Sequence, residues 1–232
     1  MTPGNAPVSG APQGTLVSVR TGTSQRHERR AWEKAHTPTY RTAYWKLEAP
    51  GPVHVGILGL EGDEQADRRV HGGPEMAVLM YADAHYAHWR SLAGLEQMGP
   101  GGFAENLTVS GLEETTVCIG DVLEVAGAEF EVASPRGPCQ NISRRWDAEW
   151  LLERVRAERR TGWYLRVRRE GPVQRGDTVH VIARPSPGWT VDRLLRLRYD
   201  PSRTRAELDA AASLSPLAEE WRARFAGLPA SD

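Results

Sequence analysis

Residues 119–139 read IGDVLEVAGAEFEVASPRGPC, and this stretch decides the fold class of the chain. Apolar and polar residues alternate over Val122 to Val125 and again over Phe130 to Ala133, which is the period-two pattern of half-buried β-strands. Ile119-Gly120-Asp121, in front of the first run, supplies turn residues. The stretch therefore predicts paired strands that lead into a rigid segment containing Cys139.

Short alternating runs of the same kind recur along most of the chain. A second Gly-Asp turn, Arg175-Gly176-Asp177, leads into Val179 to Ile182. No βαβ rhythm or glycine-rich phosphate fingerprint accompanies the runs, which disfavours a doubly wound nucleotide-binding sheet. The pattern predicts a mainly β fold, a β-barrel with inserted helices. The other predicted strands are Leu16 to Val19, Val53 to Leu58, Met76 to Tyr81, Phe103 to Val109 and Tyr164 to Val167.

Composition divides the chain into three parts. Residues 1–13 are rich in Pro, Gly, Ala and Ser and predict a mobile leader without a packed role. Residues 14–185 hold the strands, and residues 186–232 predict a small C-terminal three-helix subdomain that packs on itself or on the barrel. The expected barrel helices are Ala84 to Gln97, capped by Asp83, and Ala148 to Arg159, capped by Asp147. The expected tail helices are Thr190 to Arg198, Thr204 to Ala212 and Pro216 to Phe225.

The charge balance and the cysteine content limit the partners and the compartment. The 232 residues include 29 basic and 30 acidic side chains, so a net charge of -1 offers no global attraction to nucleic acid or anionic lipid. The two cysteines occur without a signal segment or a long apolar span. We expect a reduced, cytoplasmic setting, with no disulfide, no membrane and no nucleic acid.

Cys139 is the leading candidate for chemistry. Two prolines fix φ near the thiol and a glycine allows a tight turn, while Arg136 favours the ionised sulfur that acts as nucleophile or metal ligand. The alternative is a buried and inert thiol, which is the simplest interpretation of Cys118. His85 and His88 have a spacing able to bind a metal, but packing on an amphipathic helix explains them better.

Two further polar stretches qualify as parts of a site. Residues 61–73 end in His71-Gly72-Gly73, whose backbone amides, together with Arg68, suit a phosphate or oxoanion; an ordinary polar hairpin loop is the alternative. Glu105 and Asn106 follow a pair of glycines at the start of a strand, where Asn106 offers a donor and an acceptor.

Taken together, the motifs resemble the MOSC family, named after the C-terminal domain of molybdenum cofactor sulfurase, and within it the YiiM-type branch with a three-helix tail. The resemblance covers about four fifths of the chain. The matching motifs are Gly-Leu-x-Gly-Asp-x-Gln-Ala-Asp with His-Gly-Gly, Gly-x-Phe-x-Glu-Asn-Leu-Thr, Ile-Gly-Asp, Pro-Arg-x-Pro-Cys and Gly-x-Tyr-x-Arg-Val.

This resemblance implies a β-barrel that binds the molybdenum cofactor (molybdopterin), with Cys139 as the catalytic thiolate and molybdenum ligand. The implied cofactor-binding residues are Lys46, Arg68, His71, Gly72, Gly73, Glu105, Asn106 and Arg136. The implied reaction is the reduction of small N-hydroxylated compounds such as hydroxylaminopurines, with electrons from separate electron-transfer proteins. A homodimer is left open, and the family also has a weak association with pyridoxal phosphate.

A rival hypothesis is a molybdopterin or sulfur carrier that uses Cys139 without substrate turnover. Two departures from the family bear on the site: Ala104 stands where glycine is common, and Asn141 stands where a lysine often follows the cysteine by two residues. The enlarged loop over residues 22–39 could replace that lysine's charge, and its candidate cations are Arg26, Arg29, Arg30 and Lys34.

Overall fold

The computed structural model describes residues 6–230. The strands are β1 Gln13–Thr21, β2 Gln25–Glu28, β3 Thr39–Thr42, β4 Leu47–Glu48, β5 Val53–Gly56, β6 Gly59–Leu60, β7 Val78–Ala82, β8 Leu107–Ser110, β9 Val122–Val125, β10 Ala128–Pro135, β11 Trp163–Arg169, β12 Gly171–Val173 and β13 Thr178–Ala183. The α-helices are α1 His85–Arg90, α2 Asn141–Trp146, α3 Leu151–Glu158, α4 Val191–Tyr199, α5 Arg205–Ala212 and α6 Glu219–Gly227, and a 3-10 turn spans Pro74–Met76.

The main sheet closes into a barrel. Strand β1 pairs with both β13 and β8, which joins the ends of a seven-strand ring in the order β1-β13-β9-β10-β11-β7-β8. The β7–β8 pair is parallel, and the other six neighbouring pairs in the ring are antiparallel. This architecture confirms the predicted mainly β barrel with inserted helices.

The β9–β10 hairpin lies where the alternating pattern of residues 122–133 predicts it. Val125 faces Ala128 across the turn, and Ala126 and Gly127 both adopt positive φ, 49° and 94°. Turns with two positive φ values match the twist of paired strands. Strand β10 then runs on to Pro135, so the hairpin delivers Cys139 to one end of the barrel.

The inserted helices differ from the expected ones. Helix α1 ends at Arg90, well before the predicted Gln97, and the side chain of Asp83 does not cap it. Asp147 ends α2 instead of beginning α3, because it adopts a left-handed conformation with φ 51°. That conformation stops a helix after one residue, so α3 starts only at Leu151.

The three predicted tail helices are confirmed, and their N-terminal caps are local. The Thr190 side chain accepts the Arg193 N–H at 3.1 Å, and Thr204 forms a reciprocal capping box with Glu207. Leu194 and Phe225 belong to the same buried cluster as barrel side chains. The tail therefore shares one hydrophobic core with the barrel, and the domain boundary at residues 185/186 stays a prediction.

The segment before β1 is packed where the structure describes it. The Val8 N–H donates to the Val181 carbonyl at 2.8 Å, and the side chains of Val8 and Ala11 pack against the main core. The prediction of a leader without a packed role is therefore wrong for this part, because apolar residues there cover the barrel. Residues 1–5 lie outside the described part of the chain. Among residues 6–230, no helix is long and apolar enough to cross a membrane.

Candidate functional site

Cys139 follows β10 and lines a cavity of about 300 Å³ at the barrel end. Strand β3 with the residues that follow it, the loop after β6 and the start of α2 form the other walls. The structure thus brings together side chains that are far apart in sequence. The sequence-predicted residues that line this cavity are Lys46, His71, Gly72, Asn106, Arg136 and Cys139.

The two cysteines differ in acidity. Burial raises the pKa of the Cys139 thiol, but a hydrogen bond with the His71 side chain and the charge of Arg136 outweigh burial and bring its pKa to about 7. Burial and the Asp121 carboxylate raise the pKa of Cys118. At neutral pH, Cys139 therefore carries a large thiolate fraction, whereas Cys118 remains a protonated thiol.

Arg136 is a buried cation with an unused donor. The residue is only 3% exposed, and its backbone N–H donates to the Gly162 carbonyl at 3.0 Å. Its Nη1 atom finds no hydrogen-bond partner among residues 6–230. The guanidinium lies 5.9 Å from the centre of the Tyr44 ring, near Tyr164. A desolvated cation with a free donor favours an anionic ligand in this cavity.

Lys46 is already paired. Its ammonium group bonds the carboxylate of Asp63, which also accepts the Gly22 N–H at 2.9 Å. Burial lowers the pKa of Lys46, and Asp63 opposes that effect. The pair is nearly excluded from solvent, with exposed side-chain fractions of 8% and 4%. Lys46 therefore lines the cavity with a largely neutralised charge.

Arg144 provides a cation that the sequence analysis missed. It lines the cavity, and its Nη1 donates to the side-chain oxygen of Asn141 at 2.9 Å. Glu33, from the enlarged loop, accepts from Arg144 at 2.7 Å and from Arg29 at 2.9 Å. Arg30 donates to the Arg144 carbonyl at 2.7 Å. The loop thus positions Arg144 and does not extend its own arginines into the cavity.

Glu105 and Asn106 have partners within the fold. The fully buried Glu105 carboxylate accepts from the backbone of Gly101 and Phe103 and from the hydroxyls of Thr108 and Tyr86. It does not line the cavity. Asn106 does, but its amide accepts the Leu79 N–H at 3.1 Å and donates to the Arg20 carbonyl at 3.2 Å. Both side chains therefore help to shape the site through bonds within the fold, and their contact with a cofactor stays a prediction.

Arg68 and Gly73 are placed outside the thiol cavity, on a neighbouring depression beside β5 and β6. Gly72 does line the cavity, and its φ of 83° favours glycine. A Cβ at Gly72 would also lie 2.9 Å from the Gln65 side-chain oxygen. Of the residues predicted for the anion-binding turn, only His71 and Gly72 line the thiol cavity.

Tyr44 and Tyr164 are also site residues that the sequence did not predict. Tyr44 and Tyr164 line the cavity beside Arg136, and burial raises the pKa of both phenols. Tyr164 stands in the Gly-x-Tyr-x-Arg-Val motif, which is the sequence signal that could have identified it. Both phenols stay protonated near neutral pH and can donate a hydrogen bond to a ligand.

The two helical histidines face separate carboxylates. His85 Nε2 hydrogen-bonds Glu114 at 2.6 Å, and His88 Nε2 lies 2.8 Å from Glu158. Within the described residues, no group of three or more His, Cys, Asp or Glu side chains lies close enough to hold a metal ion.

The comparisons with known proteins identify the family. The model of the MOSC domain matches residues 67–180, and that of the YiiM-like, 3-alpha helix domain matches residues 189–227. The chain is 34% identical to YflK of Bacillus subtilis (strain 168) over 184 residues, which cover 79% of this chain and 83% of YflK. It is 32% identical to the protein YiiM of Escherichia coli (strain K12) over 147 residues, 62% of this chain and 66% of that protein.

A protein of Gibberella moniliformis named "Reductase" is 34% identical over 80% of this chain, which corresponds to 33% of that protein. Among solved structures, YiiM from Geobacillus stearothermophilus superposes with a TM-score of 0.74 at 23% identity, covering 92% of this chain and 97% of that one. The fold, the matched regions and the curated relatives agree, and the chain belongs to the MOSC domain family, in its YiiM-like branch.

Proposed function

We propose that this protein is a molybdenum-cofactor-dependent oxidoreductase that reduces small N-hydroxylated compounds of the hydroxylaminopurine type. The observation that carries the proposal is the pairing of a thiol of pKa about 7 with a buried, incompletely bonded guanidinium in one cavity. A relative named "Reductase" supports the reaction class.

The residues present fit the cofactor. A soft thiolate suits molybdenum, and the free Nη1 of Arg136 suits an anionic group. Cys139 would hold the metal, and Arg136 would hold an anionic oxygen of the pterin part. When bound, the cofactor supplies a metal centre that exchanges electrons and accepts the oxygen of the substrate.

The chain's own side chains prepare this site. His71 bonds the Cys139 sulfur and stabilises its ionised form. Tyr44 and Tyr164 keep their protons, since burial raises the pKa of both, and can donate to a polar group of the substrate. Glu33 fixes Arg144. We propose that electrons come from a separate redox protein and that the reaction takes place in the cytoplasm.

The test begins with protein purified from a host that makes the cofactor. We expect about one molybdenum per chain, and turnover of a hydroxylaminopurine with a chemically reduced electron donor. Cys139→Ser should abolish turnover, because a hydroxyl is a poor molybdenum ligand, whereas Cys118→Ser should retain it. Turnover that survives in Cys139→Ser would refute the proposal.

The thiolate also fits a second function, a molybdopterin or sulfur carrier, because a carrier needs the same acidic thiol. The two functions differ in one result of this experiment. Bound molybdenum without turnover of any N-hydroxylated compound would favour the carrier.

A further inference from the structure

A second cavity, of about 700 Å³, lies between the barrel end and the C-terminal helices. We call it the tail cleft. Its barrel wall includes Gly137 and Pro138, which directly precede Cys139, and it shares His71 and Tyr164 with the thiol cavity. The tail cleft and the thiol cavity are therefore adjacent, and His71 and Tyr164 line both of them.

The outer wall of the tail cleft comes from three helices. Helix α3 contributes Arg156, α4 contributes Arg198 and Tyr199, and α6 contributes Trp221 and Arg224. The wall thus combines aromatic surface with three guanidinium groups. Because α4 and α6 pack into the barrel core, these groups are held at a fixed distance from the thiol cavity.

Ion pairs neutralise most of the charge in the tail cleft, and Arg198 is the exception. Its guanidinium forms no side-chain hydrogen bond or ion pair with any of residues 6–230, and its closest aromatic contact is the Tyr199 ring at 5.5 Å. The paired side chains of the cleft are Arg156 with Glu153 at 2.5 Å, Arg224 with Glu220 at 2.6 Å and Glu75 with Arg166 at 2.7 Å.

Three further arginines lie near Arg198. Partial burial lowers the pKa of Arg198, and the charges of Arg224, Arg203 and Arg156 act in the same direction. Because Glu220 and Glu153 pair with Arg224 and Arg156, Arg198 is the unpaired cation to which an anion in the cleft would bind. The planar guanidinium matches the oxygen pairs of phosphate and can bind two of them at once.

We propose that the tail cleft binds the phosphate of an N-hydroxylated purine nucleotide, so that Arg198 selects the phosphorylated substrate over the free base. The proposal rests on the proposed function, because it names the form of that substrate. The base would lie in the thiol cavity beyond His71 and Tyr164, while Tyr199 and Trp221 would contact the sugar in the tail cleft.

The test measures binding without turnover. Adenosine monophosphate, adenosine and adenine are titrated into the purified protein by isothermal titration calorimetry. We expect the monophosphate to bind at least tenfold more tightly than adenosine, and Arg198→Gln to remove that difference, because one charge-assisted hydrogen bond is worth roughly tenfold or more in affinity. The matched control is Arg193→Gln on α4, whose guanidinium lies 3.9 Å from the centre of the Trp189 ring, outside the cleft.

Equal affinities for the monophosphate and adenosine would overturn the proposal, and so would a monophosphate affinity that Arg198→Gln leaves unchanged. The cofactor also carries a phosphate, so bound pterin is measured in the same variant by fluorescence after oxidation. A loss of pterin in Arg198→Gln would overturn the proposal by assigning the cleft to the cofactor. Selective monophosphate binding by a protein that turns over neither hydroxylaminopurine nor its nucleoside monophosphate would uphold the cleft and refute only the proposed function.

Discussion

Replacing His71 with alanine should change the acidity of Cys139 in a way that two crossing pH profiles can detect. His71 lowers the pKa of the thiol by a side-chain hydrogen bond and by its charge, and Arg136 contributes the remaining side-chain charge. In His71→Ala, the pKa of the Cys139 thiol should rise from about 7, because burial raises it and only Arg136 and a backbone hydrogen bond then lower it.

The expected size follows from two opposing effects. At pH 7, a thiol of pKa about 7 is half ionised, whereas a thiol of pKa 8 to 9 is roughly 10% to 1% ionised. The less acidic thiolate is the stronger nucleophile, by about threefold for each pKa unit. The net rate at pH 7 should fall by roughly two- to eightfold. Above pH 9, the variant should react faster than the parent protein by roughly three- to tenfold.

The assay is alkylation of the metal-free protein by iodoacetamide between pH 5.5 and 10, followed by mass spectrometry. Cys118→Ser serves as the parent, so that one thiol is observed. His54→Ala is the control, because His54 is an exposed residue of β5 outside the thiol cavity. Parallel profiles for His71→Ala and the parent would refute the role assigned to His71.

Three other substitutions test the site and its support. Arg136→Gln should reduce the affinity for pterin by roughly ten- to a hundredfold, because a charge-assisted hydrogen bond is worth about 1.5–3 kcal/mol. The control Arg29→Gln should leave the pterin affinity close to that of the native protein. Fluorescence of the oxidised pterin measures the bound amount in both variants. Glu105→Gln should lower the free energy of unfolding, measured by urea denaturation, by about 2–3 kcal/mol, because it places an amide among four hydrogen-bond donors. The control Glu96→Gln, at an exposed position, should change the free energy of unfolding by less than about 0.5 kcal/mol. Ala104→Gly should raise the free energy of unfolding by up to about 1 kcal/mol in thermal denaturation, because Ala104 has a φ of 60°; a lower Tm would contradict this account.

Local chemistry explains which parts of the fold were predictable. The β9–β10 hairpin and the caps at Thr190 and Thr204 depend on residues within a few positions of one another, so the sequence displays them directly. Asp147 shows the limit of such reasoning. An aspartate before an apolar run is a good helix cap, but here it has already adopted the left-handed conformation that ends the preceding helix.

The candidate site was predictable only in part, since Arg144, Tyr44 and Tyr164 were not among the predicted residues. Cys139 and Arg136 could be assigned because a thiolate needs a nearby cation, whereas His71 was predicted in an anion-binding turn and its hydrogen bond with the thiol was not predicted. Lys46 and Glu105 carry the expected charges, but distant partners decide what those charges do. Asp63, which pairs with Lys46, lies 17 positions from it in the sequence. The Tyr86 hydroxyl, which donates a hydrogen bond to the Glu105 carboxylate, lies 19 positions from Glu105. No local pattern contains those pairings.

The C-terminal helices support the strand that carries the candidate thiol. Leu194 and Phe225 are fully buried in the same cluster as Val132 of β10 and Leu165 of β11, and the Ala218 N–H donates to the Ala133 carbonyl at 2.9 Å. Strand β10 leads directly to Cys139. Removing the tail would therefore remove the contacts that support β10, the strand that positions the thiol. It would also remove one wall of the tail cleft. A single guanidinium substitution at Arg198 separates these two contributions, because it changes the charge of the cleft while the buried leucine and phenylalanine contacts remain in place.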